Sequence, residues 1–288
     1  MSYELWILTV GSLAGMTCGM VGCFLILRKL AMLADAISHS VLLGIVLAFL
    51  ISQSMSGIYM LVGAAMVGLI TAFLVQLFSS NGVQEDASIG VVFTFLFAVG
   101  VILISLYAND VHLDVDHALM GEITFVPWDL VQWWFLPPLP KAFLMLSIVF
   151  ILNIIIIVLF YKEFKITSFD PQMAAAIGIP VLLIHYLLMG MVSITTVASF
   201  DSVGAILVVA MLVAPGASAY LLTDKLSVML VLSALFGVMA AVAGYYSATW
   251  LNVSISGSMA SLNGIIFLLV FLFSPTKGLI SKKLSSSI

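Results

Sequence analysis

Long apolar runs separated by short polar breaks dominate the chain. Nine can be read, at roughly 5–27, 33–52, 58–79, 89–107, 142–160, 180–199, 203–222, 226–248 and 260–274. A helix needs about 20 apolar residues to cross a hydrocarbon core about 30 Å thick. One run could be re-entrant, so the pattern predicts an all-α polytopic membrane protein with eight or nine transmembrane helices, forming one transmembrane domain over 1–288. Composition agrees: 64% of the 288 residues are hydrophobic and 8% charged, against about 25% charged in soluble domains, and mean hydropathy is +1.30. The N-terminus lacks the basic region and cleavage site of a signal peptide, so the first run is expected to be retained.

The breaks carry the charge, and the charge sets an orientation. With nine spans, Arg28, Lys29, Lys162, Lys165, Lys225, Lys277, Lys282 and Lys283 fall on one side and only Lys141 on the other. The positive-inside rule makes the first side cytoplasmic, with the N-terminus outside and the C-terminus inside. The long break at about 108–141 is then extracellular. It sets Asp110, Asp114, Asp116, Glu122 and Asp129 against Lys141, an acidic vestibule that would concentrate cations. His112, Asp114, Asp116 and His117 lie close together in it, but their spacing matches no specific ligand motif and reads better as a solvated loop. Trp128, Trp133 and Trp134 suit the outer membrane interface.

Other breaks read as local structure. In 80–88, Asp86 and Ser88 are expected to cap the next helix. Asp170 followed by Pro171 marks a helix start, an N-cap and then proline at N1, with Gly178 and Pro180 as the stop. The short cytoplasmic helix this gives, at about 168–178, carries Met173, Ala174 and Ile177 on one face. It must pack against something, either the ends of its own bundle or another protein. Asp201 is expected to cap a helix starting near Val203, and His185 to be a satisfied core histidine. Pro215 and Gly216 inside a span predict a kink or unwound turn. Gly11, Gly15 and Gly19, four residues apart, let helices approach closely in lipid, within the chain or at a dimer axis. Cys18 and Cys23, both in the first run, form neither a metal motif nor a disulfide framework and read as small packing residues.

The chemistry concentrates at Asp35 and His39. Residues at i and i+4 share a helix face, about 5–6 Å apart at Cβ, and ionisable groups inside a span are functional by default. Counting about 1.5 Å per residue from Lys29 places His39 about 15 Å into the membrane, near the midplane. A carboxylate oxygen with an imidazole nitrogen suits Mn²⁺, Fe²⁺ or Zn²⁺ better than Cu⁺. The bland alternative is a pair that only hydrogen-bonds to itself or to a neighbouring helix. Two ligands per chain do not close a site, so water or a second copy must complete it. No G-x-x-x-x-G-K-[ST] occurs, so the chain cannot bind ATP by that route. The pair would also serve a channel or a proton-coupled secondary transporter. An intramembrane metalloenzyme ranks last, without H-E-x-x-H or a third ligand.

Residues 32–42, 114–121, 167–171 and 203–215 resemble, in order, the conserved blocks of the permeases of bacterial manganese, zinc and iron ABC importers, the ABC-3 family. The pattern is most similar to manganese-importer permeases of Gram-positive bacteria. The resemblance implies a type II ABC importer-like permease working as a homodimer in the bacterial cell membrane. Two copies of a separate ABC ATPase would bind on the cytoplasmic side, and an extracellular metal-binding lipoprotein would deliver the ion. It implies that Asp35 and His39 contact the transported metal, manganese first and zinc or iron otherwise, with no permanently bound cofactor. It implies that Phe169, Asp170 and Pro171 dock the ATPase. Where the family's outer block often has an apolar residue, this chain has Asp116. The Irving–Williams order would favour Zn²⁺ over Mn²⁺ at such a pair, so the preference for manganese comes from the resemblance alone.

Overall fold

The computed structural model describes residues 3–52, 57–107, 123–133, 136–275 and 278–279. Four helices come first: α1 (Tyr3–Leu27), α2 (Ala31–Ser52), α3 (Gly57–Ser80) and α4 (Glu85–Tyr107). A 3₁₀ helix (Ile123–Trp128) leads into an antiparallel hairpin of β1 (Leu130–Trp133) and β2 (Leu136–Pro140). Then follow α5 (Lys141–Leu159), α6 (Tyr161–Phe169), α7 (Pro171–Ala176), α8 (Val181–Val203), α9 (Ala205–Leu222), α10 (Leu226–Leu251) and α11 (Ile255–Phe273). Nine helices among the described residues, all but α6 and α7, are long and apolar enough to cross a membrane. Each of the nine expected runs is matched by one of these helices among the described residues.

Helix α1 is the hub of one half, packed against α9 and α10, while α2 packs against α3 and α4; α8 touches both groups. Glycines make the close approaches. A Cβ on Gly15 would lie 2.7 Å from the backbone of Gly237 in α10, and one on Gly19 2.7 Å from Ser233 Oγ. The four-residue glycine spacing is therefore spent within the chain. Leu43 and Gly44 of α2 likewise touch the backbone of α4 and α3. With no hydrophobic drive between helices in lipid, such backbone contact supplies the packing that holds them together. Outward faces of α4, α5 and α11 present Phe95, Ile148, Ile155, Leu268 and Phe273, as lipid-facing surfaces should.

Several local expectations are corrected. Asp201 lies within the last turn of α8 and is not the N-cap of the next helix, which starts at Ala205 behind Gly204, whose φ of 82° makes a stop that needs no polar loop. Asp86 and Ser88 sit inside the first turn of α4, and Ser88 Oγ donates to the Gln84 carbonyl (3.0 Å) instead of capping. Helix α9 passes through Pro215 with no unwound turn. Helix α11 starts five residues before the expected 260, because Ser254 caps it by accepting from the Gly257 amide (3.4 Å). The long break at about 108–141 is not all loop: Ile123 and Val126 are buried in the 3₁₀ helix, and Tyr3 Oη donates to the Thr124 carbonyl (2.8 Å). His112, Asp114, Asp116 and His117, with Asp110 and Glu122, lie outside the described residues.

Candidate metal centre

Helix α2 follows α1 after only three residues. The turn is a Schellman cap: Leu30 N–H donates to the Leu25 carbonyl (2.8 Å) and Lys29 N–H to the Ile26 carbonyl (3.1 Å). Lys29 takes the left-handed conformation (φ 63°) that glycine usually fills, at a cost of about 1–2 kcal/mol. Helix α2 then starts at Ala31, two residues earlier than the apolar pattern predicts. His39 stands eight residues into it, about 12 Å along the axis, slightly shallower than the count from Lys29.

One side of α2 is fixed. Ser40 Oγ donates to the Ile37 carbonyl (3.1 Å) and accepts from Thr71 Oγ1 of α3 (2.8 Å). Ser38 Oγ closes onto the Asp35 carbonyl (2.7 Å). Both serines are buried. The other side carries the acid and the imidazole. His39 Nε2 stands 3.5 Å from Asp35 Oδ1, and both side chains are partly open, at 37% and 38% exposure. Hydrogen bonds of this type run about 2.7–3.2 Å, so 3.5 Å is an ion-pair approach longer than a tight hydrogen bond. Metal bonds to such donors are about 2.0–2.2 Å. The imidazole also faces two rings of α4, Phe93 at 5.8 Å and Phe97 at 5.9 Å. These phenylalanines, one turn apart, wall the imidazole with apolar surface. Nothing in their own segment distinguishes them from other lipid-span aromatics. Among the described residues no third histidine, cysteine, aspartate or glutamate completes a metal cluster.

The end of the bundle bearing Arg28, Lys29, Lys162 and Lys165 holds the second predicted feature. Here the expected short helix starts at its predicted cap, and a further helix precedes it. Helix α6 ends at Phe169, Asp170 breaks the chain (φ −146°, ψ 88°), and α7 begins at Pro171. Asp170 Oδ1 accepts from the Met173 amide (2.9 Å), the expected cap, and Gly178 (φ 84°) ends the segment. Helix α6 went unread because Lys162, Glu163 and Lys165 hid its apolar side, Phe164, which is fully buried. Ala174 turns inward, whereas Phe169, Met173 and Ile177 are all more than half exposed. Met173 and Ile177 thus share an outer face that excludes Ala174. His185, one turn into α8, lines a cavity of about 820 Å³ at this end with Arg28, Glu85 and Thr167, and is not a sealed core residue.

Residues 2–274 match the ABC 3 transport family. The chain belongs to that family. It is 64% identical over 284 residues to the manganese transport system membrane protein MntD of Bacillus subtilis (strain 168), covering 99% of this chain and 96% of MntD. It is 42% identical over 277 residues to the zinc transport system membrane protein TroD of Treponema pallidum (strain Nichols), covering 96% of this chain and 75% of TroD. Among solved structures, PsaBC from Streptococcus pneumoniae in complex with Fab matches with a TM-score of 0.82 and 32% identity, covering 100% of this chain and 96% of that one. As an ABC 3 member the chain is a membrane subunit, and the ATPase of such systems is a separate component. The channel and proton-coupled readings are left without support.

Proposed function

We propose that this ABC 3 permease carries Mn²⁺ inward and that Asp35 and His39 bind the ion on its way. The observation that carries this reading is the 3.5 Å Asp35–His39 pair, partly open beside the rings of Phe93 and Phe97 in a helix long and apolar enough to cross a membrane. Two ligands hold an ion weakly enough for it to leave, as transport requires. A homodimer brings two pairs to one pathway, an extracellular metal-binding lipoprotein supplies the ion, and two ATPase copies drive the cycle from the cytoplasm. Manganese is favoured by the similarity to MntD, zinc by that to TroD. Uptake of radiolabelled Mn²⁺, with and without competing Zn²⁺, in cells with and without this chain decides between them. We expect Mn²⁺ uptake to be lost with the chain and Zn²⁺ uptake to persist; the reverse pattern would make this a zinc permease.

The ATPase docks at Phe169, Asp170 and Pro171. Exposed Phe169, Met173 and Ile177 give an apolar patch on a short rigid turn outside the spans, and such patches mark protein contacts. Phe169→Asp is expected to strip the ATPase from the purified complex while leaving the fold intact, because the ring packs on little of its own chain. Full-yield co-purification would show that the ATPase docks elsewhere. An ATPase captured through this turn also places the turn, and with it the C-terminus, in the cytoplasm, as the basic residues require.

A further inference from the structure

The turn between α1 and α2 is joined to α6 by one side chain. Arg28 reaches from the last cap residue of α1. Its Nη2 donates to Thr167 Oγ1 (2.8 Å) and its Nε to Ser168 Oγ (3.2 Å). One turn earlier, Phe24 of α1 lies against Phe164 of α6, ring centroids 5.0 Å apart, both rings fully buried. Burial pulls the guanidinium down to about 10, so it stays charged in the cell. No carboxylate among the described residues lies within ion-pair distance of it. A planar fork spanning two neighbouring hydroxyls is a fit that lysine cannot copy. Thr167 is held in turn, its hydroxyl donating to the Glu163 carbonyl (2.7 Å).

Both ends of this link matter. Ser168 immediately precedes Phe169, the first residue of the proposed ATPase contact. Arg28 precedes Ala31, the first residue of α2, by three positions. The residues between are fixed by the Schellman cap and by Leu33 N–H donating to the Leu30 carbonyl (3.1 Å), so the connection has little slack. We propose that Arg28 is a positioning residue that fastens the docking segment to α2, so that displacement of the segment by the ATPase moves Asp35 and His39. This rests on the reading of 169–171 as the docking turn.

The test uses the permease–ATPase complex in proteoliposomes, with ATP hydrolysis and radiolabelled Mn²⁺ transport measured on one preparation. Two variants cut the link from opposite ends: Arg28→Gln, and Thr167→Val with Ser168→Ala. Each should retain the ATPase and its basal hydrolysis while ions moved per ATP fall at least about fivefold, the lower end of typical coupling strengths. The combined variant should be no worse than either alone, since both remove one interaction. The ratio counts only assembled, hydrolysing complexes, so simple loss of folded protein does not change it. An unchanged ratio in either variant, additive losses, or loss of the ATPase from the Arg28→Gln complex overturns the proposal. If Arg28→Gln fails to fold, the hydroxyl variant decides alone. Should Phe169→Asp keep its ATPase, the docking reading falls and this inference with it. Should Phe169→Asp lose the ATPase while Arg28→Gln transports normally, only the role of Arg28 is wrong.

Discussion

Replacing Asp35 by Asn, or His39 by Ala, is expected to abolish metal uptake while the permease still assembles with its ATPase at wild-type yield. Asn keeps the shape of Asp but offers a neutral carbonyl in place of an anionic oxygen, and Ala removes the nitrogen donor altogether. With two ligands per chain, His39→Ala halves the donor set and Asp35→Asn leaves it without its only anion. A loss of about 100-fold in uptake corresponds to roughly 2.7 kcal/mol of ion binding, a modest demand for deleting one of two ligands. Folding should suffer little. Removing one member of a fully buried ion pair costs about 3–5 kcal/mol because the other is stranded. Here both side chains are more than a third exposed, on the open side that the proposed ion pathway would wet, so the survivor is not stranded. The anchoring of α2 also lies on its opposite side, through Ser40 and Thr71. The measurement is radiolabelled Mn²⁺ uptake alongside ATPase co-purification from the same cells. Near-normal uptake in both variants would remove the pair from the pathway.

The nine spans were legible because apolar runs of membrane length are hard to confuse with anything else and the breaks between them carry the charge. What the pattern missed follows from how helices end. Gly204 stops α8 through its backbone alone, and hydropathy does not register a positive φ. Ser254, Ser256, Gly257 and Ser258 make the first turn of α11 look like a loop, although Ser254 is its cap. Charges on α6 concealed a helix whose inner face is only Phe164 and Thr167. At the centre, the i, i+4 spacing of Asp35 and His39 made the pair readable from one segment. Phe93, Phe97, Arg28 and Thr167 could not be assigned roles in the same way, because their partners lie more than 50 residues away and only the tertiary fold brings them together.

The second large effect concerns packing at the point where a broken helix had been expected. Gly22→Ala should lower the thermal midpoint of the detergent-solubilised protein by about 6–12 °C, taking about 3 kcal/mol for overpacking and about 2–4 °C per kcal/mol at this size. A Cβ at Gly22 would overlap the carbonyl oxygen of Leu212 in α9, and across the same contact a Cβ on Gly216 would sit 3.1 Å from Cys23 N. Both obstacles are backbone, which no rotamer change can relieve, so α1 and α9 would have to separate. Pro215 sits one residue from this crossing. It removes one hydrogen bond from the ladder of α9, a loss tolerated in lipid only where neighbouring protein covers the freed backbone. The bare surface of α1 at Gly22 allows that cover, which accounts for α9 continuing through the proline. Gly90→Ala and Gly264→Ala, where the added methyl meets nothing within 4 Å, should be neutral or slightly stabilising, since alanine is preferred to glycine inside helices by about 0.5–1 kcal/mol. Equal midpoints for Gly22→Ala and these controls would mean that α9 can shift away from α1 at little cost. The continuity of α9 through Pro215 would then need another support.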